Sequence, residues 1–82
     1  MDLADKQALR EAVAAHNAGG LQEAARLYRV VLQTHPTHPD ANHNLGLIAV
    51  ALKNLDSALP LFKIALEENP KIEQFWLSYI DA

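Results

Sequence analysis

The sequence predicts an all-α fold made of repeated antiparallel helix pairs, and three observations carry that prediction. Apolar residues recur at spacings of three and four between sharp breaks, the period of a helix. Ala and Leu are abundant while β-branched residues are sparse and scattered, which favours closely packed helices over strands. Most decisively, Ala24, Tyr28, Leu32 and Pro36 recur as Ala58, Phe62, Leu66 and Pro70, each 34 residues on. A lone helix pair cannot bury both of its faces, so it stacks on the next pair. The two alanines allow close helix approach, the two aromatics fill the gap between pairs, and the two prolines end the second helix of each unit.

Breaks divide the chain into five helical stretches, near 4–18, 21–34, 39–52, 56–68 and 71–82. Gly19-Gly20 ends the first, and His35-Pro36-Thr37-His38-Pro39 separates the second from the third. Pro39 suits the first helical turn, where its missing N–H has no partner to lose. In the break Lys53-Asn54-Leu55-Asp56, Asn54 suits a left-handed cap and Asp56 an N-cap. With Asp56 as cap, Pro60 is expected in the first turn, at little cost. Asn69-Pro70 closes the fourth stretch.

These positions resemble the tetratricopeptide repeat family, whose pattern is Trp-x2-Leu-Gly-x2-Tyr, then Ala-x3-Phe, then Pro. The second unit reads Asn42-x2-Leu45-Gly46-x2-Ala49, Ala58-x3-Phe62 and Pro70. The first reads Ala8-x2-Glu11-Ala12-x2-Ala15, Ala24-x3-Tyr28 and Pro36, and a third opens with Trp76-x2-Tyr79. Asn42, Ala49 and Glu11 depart from the pattern, and Ile80 stands where a small residue is usual. The resemblance implies a right-handed solenoid fragment. It has two helix-turn-helix repeats, about 5–38 and 39–72, plus one additional C-terminal helix that starts a third repeat at 73–82. It also implies protein–protein interaction as the function. Residues 14–29 are further similar to bacterial arrays that precede domains like the O-linked N-acetylglucosamine transferases, which makes a regulatory or substrate-presenting arm of a transferase an alternative.

Composition narrows the function classes. The 82 residues suffice for one small domain, and the formal charge is −3 with no basic run, which argues against nucleic acid as partner. The acidic start, Met1-Asp2-Leu3-Ala4-Asp5, has no signal-peptide character, and no apolar run suits a membrane span. There is no Cys, and a cytoplasmic setting is the expectation. No catalytic constellation assembles. Ser57 and Ser78 lack a nucleophile elbow, Gly19-Gly20 is too short for a phosphate loop, and Glu67-Glu68 reads as a solvated edge. His35, His38 and His43 have a spacing that invites a metal reading, but Pro36 and Pro39 stiffen the segment; His35 is better explained as ending one helix and His38 as capping the next, with His43 about a turn further on. No metal or cofactor is expected.

Two candidate interaction sites follow. The resemblance implies a concave groove lined by the first helices of successive units, here Leu9, Val13, His16 and Asn17, then His43, Asn44, Leu47 and Val50. A protein or peptide is the implied occupant. Asn44 can both donate to and accept from a peptide group whatever its side chain. The last helix offers a second site, with Phe75, Trp76, Tyr79 and Ile80 spread around it and no following helix to cover them. Burying a Trp of about 150–250 Å² contributes up to about 4–6 kcal/mol. The end therefore reads as a docking or self-association surface. Either the chain is part of a longer one, or two copies cover each other's ends as a homo-oligomer, or the helix is an atypical cap.

Overall fold

Three of the helices begin at a residue whose side chain accepts from one of their free amides. The Asp2 carboxylate accepts from the Asp5 amide at 2.9 Å and opens α1 (Leu3–Asn17). Gly19, at φ 83°, turns the chain through the left-handed region that glycine enters freely, and α2 (Leu21–Thr34) follows. His38 caps α3 (Pro39–Ala51) by accepting from the Ala41 amide through Nδ1 at 3.1 Å. Asn54 caps α4 (Leu55–Glu68) by accepting from the Ser57 amide, and α5 spans Glu73–Asp81. The computed structural model describes residues 1–81, and these five helices, without a strand, are the regular structure among them. The chain is an all-α helical repeat fragment.

Packing repeats with the sequence. Each pair closes on itself, α2 lies against α3, and α4 lies against α5. Ala24, Tyr28 and Val31 of α2 are fully buried with Ala8 and Ala12 of α1. Ala41, Leu45 and Ile48 on one face of α3 join that cluster, so the second pair seats on the first. The adjoining face of α3 meets α4, where Ala49, Ala58 and Phe62 pack together. Gly46 makes that contact possible: a Cβ there would lie 2.5 Å from Phe62 Cε1 and 2.7 Å from its Cδ1. Phe75 of α5 then buries against Ala65 and Leu66 of α4.

The turns repeat too. The Gly20 amide donates to the Ala15 carbonyl, and 34 residues later the Asn54 amide donates to the Ala49 carbonyl, both at 2.8 Å. Asn42 Nδ2 donates to the Pro36 carbonyl at 3.0 Å, and Trp76 Nε1 does the same to the Pro70 carbonyl at 2.7 Å. Asn42 and Trp76, 34 residues apart, thus each tie back the turn that precedes their helix.

Four local expectations are corrected. Lys53, not Asn54, takes the left-handed conformation, at φ 62°, which is the place of Gly19 one repeat earlier. Asn54 instead caps α4 in place of Asp56. Pro60 therefore lies inside the helix rather than in its first turn, and the Asp56 carbonyl loses its helical donor. The last helix also starts later than residue 71, because Asn69 to Ile72 form a turn in which the Ile72 amide donates to the Asn69 carbonyl. Lys53→Gly should raise stability by about 0.5–1 kcal/mol, the left-handed penalty of a side chain less the extra flexibility of glycine. Urea unfolding measures it, and no gain would mean that this turn is not held in solution.

Candidate functional site

The expected groove residues lie on α1 and α3. Leu9, His16, Asn44 and Leu47 are half-buried, and Val13, Asn17 and Val50 are exposed. Beneath them Tyr28 is wholly enclosed, and its hydroxyl lies 3.5 Å from His16 Nδ1 with the rings edge-on. Burial pushes the Tyr28 phenol above its ordinary range, the Asn44 amide opposes that shift, and the Asp40 carboxylate adds to it. The face is thus apolar at Leu9, Val13, Leu47 and Val50 and polar at His16 and Asn44. A shallow depression of about 410 Å³ lies along its α1 edge, where Lys6 and Arg10 flank Leu9 and Val13.

His43 is not part of that surface. It is only 3% exposed, with its ring 5.6 Å from Phe62 and 4.6 Å from Phe75, and its Nε2 lies 2.8 Å from Ser78 Oγ. It is a core residue that docks α5 on α3, because α5 covers the flank of α3 that a two-helix view leaves open. Burial lowers its affinity for a proton, against the smaller opposing effects of Asn44 and Asp40. The fold therefore prefers the neutral ring. Stability from this residue is full above about pH 6.5 and is lost as pH falls from there through the lowered folded value. Urea midpoints between about pH 5 and 8 should fall on acidification more steeply in the wild type than in His43→Leu. Parallel curves would remove His43 as the cause.

The other histidines each have a separate partner. His35 Nε2 lies 3.1 Å from Asp5 Oδ2, which also accepts from Thr34 Oγ1 at 2.9 Å, so the start of α1 holds the end of α2. His38 caps α3 and His16 meets Tyr28. Among the described residues no group of three His, Cys, Asp or Glu is arranged around a common point. Asp5 had no role in the sequence reading. The missed signal is an acidic residue in a first turn, one helix pair away from a His.

At the C-terminal end the four expected residues divide. Phe75 is 3% exposed and belongs to the core, so it is not part of a free docking face. Trp76 is 45% exposed and Ile80 70%, with Leu77 and Tyr79 exposed beside them. The 34-residue shift explains the division. Phe75 matches Ala41, on the face that meets the preceding unit, whereas Ile80 matches Gly46, on the face that α4 covers, and Trp76 matches Asn42, which is buried over the preceding turn. A further cleft of about 430 Å³, with Arg29, Leu52, Pro60 and Leu61 in its lining, lies between α2 and α4 and had no counterpart in the sequence reading.

Among the described residues no helix is long and apolar enough to cross a membrane. The family described as tetratricopeptide repeat matches this sequence over residues 15–78. No curated protein matches the chain.

Proposed function

The chain belongs to the tetratricopeptide repeat family, and from that membership we infer that it is a protein-binding scaffold whose α1–α3 face receives a peptide or extended segment. Repeats of this kind are generally protein-interaction modules and typically non-catalytic. The observation that carries the site is the combination on one face of accessible apolar residues, Leu9, Val13, Leu47 and Val50, with the amide of Asn44. Apolar side chains supply area, and an Asn amide pairs with a peptide group without regard to its side chain. A cytoplasmic setting suits a chain without Cys.

Asn44→Ala tests the reading on peptides selected for binding to the chain. Loss of about one peptide hydrogen bond should weaken them about three- to tenfold. Unchanged affinity would take Asn44 out of the site.

Self-association through α5 is a second reading, favoured by the exposed row Trp76, Leu77 and Ile80. Its form is constrained. The α1 residues that match the stacking face Ala41, Leu45 and Ile48 are Gln7, Glu11 and Ala14, all exposed. That polar end disfavours an open head-to-tail stack and leaves a two-fold pairing of α5 ends, which a solution mass that doubles with concentration would reveal. The arm of a larger transferase rests on the likeness of residues 14–29 to transferase arrays.

A further inference from the structure

The contact of α5 with the second unit turns on one ionisable side chain. Among the described residues of α5 only Phe75 is buried. Its ring lies 4.6 Å from that of His43, which lies 5.6 Å from Phe62 of α4. One turn on from Phe75, Ser78 Oγ meets His43 Nε2 at 2.8 Å. One repeat earlier the place of His43 belongs to Leu9, which is half-buried against the core of the first unit, and the place of Ser78 belongs to Asn44. The two joints of the stack are therefore alike in plan and different in chemistry. The first closes on an apolar side chain that no pH alters, the second on a ring that can take a proton.

Charge is poorly placed at that point. The groups that act on the ring are Phe62 from α4, Phe75 and Ser78 from α5, and Asp40 and Asn44 from α3 itself, and Asp40 is the one charged group among them. The Ser78 hydroxyl donates or accepts, so it serves either form of the ring and neutralises neither. Burial outweighs Asn44 and Asp40 and makes the docked ring a poorer base than a free imidazole. Once α5 moves away, the ring reaches water and takes the proton without that cost. Docking through His43 is therefore at full strength above about pH 6.5 and weakens as pH falls from there through the lowered value. We propose that the contact of α5 with the second unit is a pH-operated joint, in which protonation of His43 releases α5 from α3 and α4 while the four preceding helices stay packed. The Leu9 joint holds in acid, so the stack opens at one place only.

The test follows the full chain by nuclear magnetic resonance from about pH 8 down to about pH 4.5, reading the His43 ring protons and the backbone amides together. The amides of α5 should move with the midpoint of the His43 ring, below about pH 6.5, while those of α1 and α2 hold still. The ratio of docked to free α5 should fall by up to about tenfold per pH unit across that interval. Emission from Trp76, the one tryptophan of the chain, should change over the same range. His43→Leu, which copies Leu9, should keep α5 docked and flatten the change. His35→Gln, which removes the contact with Asp5, should leave the transition as in the wild type. The proposal is overturned if the ring titrates while the α5 amides stay in place, or if α1 and α2 move with α5 at one midpoint. It is equally overturned if the whole chain unfolds before His43 titrates, if His43→Leu keeps the same transition, or if His35→Gln abolishes it. The wild-type reading needs no substitution, so it decides the matter even if the leucine variant does not fold.

Discussion

Gly46→Val should unfold most of the chain at temperatures where the wild type is folded. The position lies on the α3 face that meets α4, and an added Cβ would lie 2.5, 2.7 and 3.1 Å from three atoms of the Phe62 ring. The ring has little room to retreat, because Phe62 is almost wholly buried beside Ala58 and His43. Overpacking of this kind costs about 1–3 kcal/mol, and Val adds two further methyl groups beyond the Cβ, which outweighs its better helix propensity than Gly. A chain this small has about 3–5 kcal/mol of core stability in total. Phe62→Leu in the same molecule should recover part of the loss by vacating the ring position. Thermal melts followed by circular dichroism measure all three proteins. An unchanged midpoint in the single variant would mean that α3 and α4 do not approach as closely as described.

Tyr28→Ala should be as severe for the opposite reason. Tyr28 is 0% exposed and lies where α1, α2 and α3 meet, between the Ala12 and Ala24 surfaces and Ile48. Deleting a ring from such a site leaves a cavity that rigid helices close only in part, at about 3–5 kcal/mol. The cooperative melt should disappear or move below room temperature. Tyr28→Phe keeps the ring and forfeits the long contact to His16 Nδ1 and the influence of the Asn44 amide, so it should cost about 1 kcal/mol or less. If the alanine variant lost no more than the phenylalanine one, the ring would not be what joins the two units.

The repeat was legible because it is a packing rule written twice. Tyr28 and Phe62 recur at one place because each fills the space beside a small residue, and both are buried as that rule requires. The number of helices followed from the breaks, which Gly and Pro mark by backbone chemistry alone. Less legible was the turn at residues 53–56, where the pattern put Asn54 in the left-handed position and Asp56 at the N-cap. The first unit held the answer, since Gly19 is left-handed and Lys53 is its counterpart. The site was harder. Periodicity identifies a helix but not which neighbour each flank meets, and α5 has flanks of two kinds. Phe75 and His43 looked available because all apolar residues of the last helix, and all groove-facing residues of the third, were weighed alike. Shifting each position by 34 separates Phe75, the match of buried Ala41, from Trp76 and Ile80, the matches of Asn42 and Gly46. For His43 no such shift helps, because its burial depends on contacts with Phe62, Phe75 and Ser78 that converge only in three dimensions.

The central claim is that this helix stack binds polypeptide through the α1–α3 face. Its most direct test is to select peptides from a random displayed library against the immobilised chain and to map one selected peptide by backbone amide shifts on the labelled protein. The account predicts binders whose shifts gather at Leu9, Val13, Asn44, Leu47 and Val50. A failure to select any binder, or shifts gathered at Arg29, Leu52 and Leu61 on the α2–α4 side, would contradict it.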